Sequence, residues 1–276
     1  MIRLNYPILS EIDEYDSIVQ SKHGESRSHL TSIRAQVNSD YSEYINRFNE
    51  IHHKGVNSFG VDDSTALCNC YKIRTKALNS LKAKLINCQT DTLKFICPYC
   101  LITKPSTFDH YIPLEEQPVY SVFARNLIPC CGLCNQKKTE YWKETGQRAI
   151  IHFYNDSIPA VQFLLCDLTF NGSIPILRFR LSMPATIAGE ERFRVERHFE
   201  RLGLLERYNE EVTKVLSDIN TDVNALASFN PTIAEVSVFL STKARDLFNR
   251  YGINYWYAIA YMNLSGSDRY IQGLLV

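Results

Sequence analysis

Nine cysteines occur in the 276 residues, and five of them fall between Cys97 and Cys134. Cys97 and Cys100 form one Cys-x-x-Cys and Cys131 and Cys134 a second, with thirty residues between the pairs. Two such knuckles can deliver four thiolates to one tetrahedral zinc ion, and a closed four-sulfur shell is the structural kind of site. A thioredoxin-like redox pair needs only one Cys-x-x-Cys and a surrounding βαβ pattern. Cys130 could replace Cys131, but the two-residue gap to Cys134 favours Cys131. The odd count speaks against a disulfide framework in a chain that reads as intracellular. Cys68, Cys70, Cys88 and Cys166 read as buried small apolar groups.

Between and beside the knuckles lie Asp109-His110-x-x-Pro113, Asn126-Leu127-x-Pro129 and Cys131-x-x-Cys134-Asn135-x-x-Lys138. A zinc ribbon alone has no need of the Asp-His pair or of an Asn directly after the last cysteine. Together these residues resemble the HNH endonuclease family, in its zinc-containing, four-cysteine ββα-metal branch. The resemblance implies that His110 is the general base that takes a proton from the attacking water, a task suited to an imidazole titrating near neutrality. It implies that Asp109 and Asn135 ligate one catalytic Mg²⁺ or Mn²⁺ through hard oxygen donors. Asn126 then hydrogen-bonds across the loop and holds His110 in position. Lys137 and Lys138 fall on the family's helix and are expected at phosphate. The zinc clamps the hairpin to that helix and takes no part in the reaction.

Two departures bear on this expectation. Asn135 stands where many members have His, a variant that still permits one-metal chemistry. The frequent Gly-Gly before the middle Asn is replaced by EEQPVYSVFARN, in which Pro118, Tyr120, Val122 and Phe123 are expected to pack. In this the chain is similar to stand-alone bacterial HNH proteins, some linked with ATPases in phage defence. A partner-gated antiviral effector is thereby implied.

The fold class expected from these signals is α+β. Residues 1–92 form a helical N-terminal region, 93–148 a ββα-metal core with the zinc site, and 149–276 a C-terminal region of a β-hairpin followed by helices. Leu30, Ile33, Val37, Tyr41, Tyr44, Ile45 and Phe48 recur at helical spacing. A break at 55–64 gives way to a helix expected from Thr65 to Cys88, with Asp62 and Asp63 at its start rather than at a metal. That helix carries Lys72, Arg74, Lys76, Lys82 and Lys84, with no acidic residue between Asp63 and Asp91. It is either a solvated face or a phosphate-contacting one.

Ala149 to Leu181 reads as β-structure: IIHFY, then VQFLLCDLTF and SIPILRFRL joined by Asn171-Gly172, a hairpin signal. Arg178 and Arg180 alternate with Leu177, Phe179 and Leu181, giving a basic face that extends a nucleic-acid track or is simply solvated. The Glu/Arg-rich stretch after Thr186 has its charges three and four apart, as internal ion pairs require. Asn230-Pro231 opens a further helix. Tyr255, Trp256, Tyr257 and Tyr261 read as core or as a protein interface. His23, His29, His52, His53, His152 and His198 lack partners at ligand spacing and read as surface or packed residues.

Thirty Lys and Arg balance thirty Asp and Glu, and 45% of residues are hydrophobic. That balance excludes a strongly basic polyanion binder and long disorder. Basic and acidic residues number 12 and 11 over 1–96, 5 and 5 over 97–145, and 13 and 14 over 146–276. Even the core is neutral, and four thiolates on one zinc add two negative charges. Weak unaided affinity for substrate is expected, with the 72–84 helix, the Arg178/Arg180 strand or a partner protein supplying attraction. No signal peptide or membrane-length apolar run is read, so a cytoplasmic protein is expected. The expected function is phosphodiester hydrolysis in DNA. RNA, including tRNA, is the alternative substrate, and a catalytically silent zinc module that binds nucleic acid or protein is the rival.

Overall fold

The computed structural model describes residues 1–275 and divides into two compact units, Arg3–Ser157 and Ile158–Val276 with Met1–Ile2. The first joins what the sequence separates at 92/93, because the N-terminal helices and the cysteine-bearing segment share one aromatic core. It also runs past 148/149 to Ser157.

In the first unit α1 (Glu11–Gln20), α2 (Gly24–Ser32) and α3 (Arg34–Asn46) precede α4 (Val61–Lys72) and α5 (Lys76–Asn87). The single helix expected over 65–88 is two. Thr75 leaves helical geometry and its side chain accepts from the Leu78 N–H, capping α5. Asp62 and Asp63 lie in the first turn of α4, where their charge complements the helix dipole. The short α6 (Asp91–Lys94) leads to the knuckles. There β1 (Thr107–His110) pairs antiparallel with β2 (Leu127–Cys130), and α7 (Gly132–Lys138) follows. A small hairpin, β3 (Lys143–Glu144) and β4 (Gln147–Arg148), turns through Thr145 and Gly146, both at positive φ.

The long β1–β2 loop packs on the N-terminal helices. Tyr41 stacks on Phe123 at 4.2 Å, and Tyr44 meets Phe123 at 4.9 Å and Tyr120 at 5.0 Å. Aromatic burial takes the place of glycine flexibility. IIHFY, expected as a strand, is irregular and fully buried under this core. His152 satisfies itself there: Nε2 faces the Arg125 carbonyl at 2.9 Å, and Nδ1 accepts from the Asn155 N–H at 3.2 Å. A buried bidentate pair, Arg148 with Asp156, closes the same region.

The second unit begins with β5 (Leu164–Asn171) and β6 (Ile174–Leu181), antiparallel with Asn171 opposite Ile174. The two-residue loop is therefore Gly172-Ser173, one residue later than expected, and Gly172 alone takes positive φ (60°) there. A Gly at the first loop position suits a type II′ turn, which spares Asn171 for the ladder. Then follow α8 (Gly189–Leu202), α9 (Leu204–Glu210), α10 (Val212–Leu226), α11 (Ile233–Tyr251), α12 (Trp256–Ser265) and α13 (Asp268–Leu274). The helix announced by Asn230-Pro231 starts behind a capping box of Thr232 and Glu235. Trp256 stacks on Tyr208 at 5.5 Å and meets Phe179, so the aromatic run is core to this unit. Among the described residues no helix is long and apolar enough to cross a membrane.

Candidate active site

Cys97, Cys100, Cys131 and Cys134 are all buried, and their four Sγ atoms lie within 4.8 Å of one another. A tetrahedral ion with bonds of about 2.3 Å needs sulfur-sulfur edges of about 3.8 Å. Cys100 and Cys131 stand at 3.9 Å. Cys97 Sγ accepts from the Cys131 N–H at 3.3 Å, and Cys131 Sγ from the Cys134 N–H at 3.4 Å. Backbone donors aimed at sulfur favour thiolate over thiol, so the donor set fits a structural zinc. The first knuckle closes with Leu101 N–H on the Cys97 carbonyl at 2.8 Å and places Leu101 at φ 54°, ground that favours glycine. Cys130 is buried but outside the cluster, on β2 opposite Thr107.

The first knuckle precedes β1 and the second lies at the junction of β2 and α7, so the cysteines tie the entry of the strand-strand-helix segment to its strand-helix corner. Successive residues of β1 face opposite ways. Asp109 turns toward α7: its Oδ1 accepts from Lys138 Nζ at 3.1 Å and its Oδ2 from the Tyr99 hydroxyl at 2.7 Å. Lys138 also donates to the His110 carbonyl at 2.8 Å. Asp109 is 2% exposed and Lys138 0%, so this is a fully desolvated pair. Burial raises the Asp109 carboxyl above the usual range, and the Lys138 ammonium pulls it back.

His110 turns toward α4, where the Tyr71 ring meets it edge-on at 4.3 Å. Its Nε2 lies 2.8 Å from the Ser121 carbonyl, an atom that can only accept, so Nε2 carries the hydrogen and Nδ1 the lone pair. Burial lowers its pKa to about 4, and Lys138 and Lys82 push the same way. The imidazole is therefore neutral at neutral pH, with a lone pair on Nδ1, though a weaker base than a solvated imidazole.

Asn126 is fully buried. Its Oδ1 accepts from the Ile112 N–H at 2.8 Å, and its Nδ2 donates to the carbonyls of Ile112 at 2.9 Å and Tyr120 at 3.2 Å. One side chain thus locks the chain leaving His110 to the loop that supplies Ser121. Asn135, half-buried on α7, lines with Asp109, His110 and Tyr71 one open cleft of about 270 Å³.

The residues expected at nucleic acid divide. Lys137 is exposed on α7, but Lys138 is turned inward by its place one helical turn after Cys134 and spends its charge on Asp109. Lys72, Arg74 and Lys76 are exposed at the end of α4 and the start of α5, with Lys72 3.6 Å from Glu115. Arg178 and Arg180 belong to the second unit, where Arg180 is paired with Asp167 at 2.6 Å on the solvent face of the hairpin. Sequence reasoning missed Tyr99, Tyr71 and Ser121. Tyr99 had a signal, since it sits inside the first knuckle next to a zinc ligand. Ser121 acts through its carbonyl, which no residue type announces.

No family model matches the chain, and no solved structure matches it. Among curated proteins it is similar to protein ea31 of Escherichia phage lambda, 26% identical over 190 residues. The match spans 64% of this chain and 64% of the phage protein's own length.

Proposed function

We propose that this chain is a metal-dependent HNH endonuclease that hydrolyses phosphodiester bonds in DNA, with RNA, including tRNA, as the second substrate class. The observation that carries the reading is the meeting of Asp109, His110 and Asn135 at one cleft, with a neutral His110 whose Nε2 is committed to Ser121. His110 Nδ1 takes a proton from water, the water oxygen attacks phosphorus, and the bond to the 3′ oxygen breaks. Asn126 keeps the ring's position, and Tyr99 and Lys138 orient Asp109.

Asp109 and Asn135 would hold Mg²⁺ or Mn²⁺. Each Asp109 oxygen has one hydrogen-bond partner, and a carboxylate oxygen offers two lone pairs, so Asp109 keeps acceptor capacity for such an ion. Such an ion, when bound, stabilises negative charge on the phosphate and on the leaving oxygen. The neutral chain supports a role gated by a partner, an ATPase or other defence component, that brings the substrate.

One observation favours the silent zinc module instead: Lys138 already neutralises Asp109. The test is incubation of purified protein with duplex DNA, single-stranded DNA and RNA, with Mg²⁺ or Mn²⁺, alone and with any cognate partner. Divalent-dependent cleavage of DNA is the expected result. Cleavage of RNA alone moves the substrate class, and binding without turnover in every arm selects the silent module.

A further inference from the structure

We propose that Lys82, held over the ring of Tyr71 beside His110, contacts a phosphate of the substrate strand flanking the bond that is cut. This rests on the endonuclease reading and adds a residue to it. Lys82 lies on α5, whereas the motif residues lie on β1, the loop and α7. Its Nζ sits 3.9 Å from the centroid of the Tyr71 ring and 5.6 Å from that of Phe108. Tyr71 and Phe108 both line the cleft, and Tyr71 is the ring packed edge-on against His110. The Tyr71 hydroxyl reaches the Phe108 carbonyl at 3.4 Å, which ties α4 to β1 and fixes the platform.

Lys82 differs from the paired lysines around it in the fate of its charge, and from Arg74 and Lys76, which also lack a carboxylate partner among the described residues, in lying over the Tyr71 ring. Lys72 pairs with Glu115, Lys84 with Glu14 and Lys138 with Asp109. Among the described residues no carboxylate pairs with Lys82. The ammonium is half-buried on an aromatic face, and it is held below the usual lysine range by burial and by repulsion from Arg74. A half-buried ammonium over a ring that lines the cleft, repelled by Arg74 and without a carboxylate partner, is relieved by a phosphate. The platform recognises backbone and not base, so the contact is independent of sequence.

Binding of a fluorescent DNA duplex, without added divalent ion and over a range of salt, reads this directly. Lys82→Gln and Lys82→Met, the latter keeping the aliphatic stem on Tyr71, should each lower the slope of log K against log salt by about one. They should weaken binding about fivefold to tenfold near 0.1 M salt. Lys82→Arg and Tyr71→Phe should keep the wild-type slope, and Tyr71→Leu should lose part of it. Lys214→Gln, an exposed lysine of the other unit, serves as the charge-loss control. Thermal melts confirm that each variant folds, and the Met and Arg forms keep the test decisive if Gln does not. If the wild type binds and cleaves while Lys82→Gln and Lys82→Met bind with its slope, the Lys82 contact is wrong and the nuclease reading stands. If the wild type neither binds nor cleaves nucleic acid, alone or with any cognate partner, both are overturned.

Discussion

At the scale of single residues, the site is a set of commitments made by hydrogen-bonding groups with few alternatives. Nε2 of His110 faces a carbonyl, and so the tautomer follows. Asn126 supplies three bonds to backbone from a fully buried position. Asn126→Ala leaves the Ile112 N–H and two carbonyls without partners, and it should cost about 3 kcal/mol in urea unfolding. It should also lower the cleavage rate more than a distant substitution of equal destabilisation, because the Ser121 loop is released. His152 contributes to the pH dependence of stability, with the same sign as His110. Its pKa is about 3 in the folded chain against 6.5 unfolded, so above pH 6.5 both states are neutral and it contributes no slope. As pH falls through 6.5 toward 3, only the unfolded chain takes the proton, and this group removes about 1.4 kcal/mol of stability per pH unit. His152→Asn should be less stable at pH 7 yet lose less than the wild type between pH 6 and pH 5 in the same titration.

At the scale of elements, the four-cysteine cluster, whose geometry fits a structural zinc, is the clamp available to the strand-strand-helix segment. β1 and β2 are four residues each and α7 is seven, too short to persist without a clamp. Cys134→Ser should drop bound zinc well below one per chain, with loss of ordered signals for residues of α7 and β1 in amide exchange. Zinc retained in full by that variant would remove Cys134 from the shell. The cysteine spacing, the Asp-His pair and the middle Asn were legible because each is a residue type with a narrow chemical use at fixed spacing. The supporting contacts were not. Lys138 reads as a surface cation until the helix phase set by Cys134 turns it inward. Thr75 reads as helix interior until its hydroxyl caps α5, and IIHFY has strand composition but no partner strand. In the hairpin, Asn171-Gly172 marked the turn to within one residue, since pairing of Asn171 with Ile174 outweighed the local dipeptide preference.

At the scale of the whole molecule, neutrality shapes how the chain meets a polyanion. Thirty basic residues against thirty acidic give no long-range attraction, and many of the basic ones are paired: Arg180 with Asp167, Lys54 with Asp40, Arg34 with Asp16. Unaided binding to duplex DNA should be weak and its salt slope shallow, corresponding to only a few phosphates, and a titration at two salt concentrations checks it. A steep slope of many phosphates would contradict this distribution of charge. The central claim, that one imidazole on a zinc-clamped hairpin performs hydrolysis, is tested most directly by comparing wild type and His110→Ala for divalent-dependent cleavage of labelled duplex DNA while measuring zinc in both. Cleavage by the wild type, its abolition in His110→Ala and zinc near one per chain in each are expected; cleavage by His110→Ala at the wild-type rate would rule out His110 as the base.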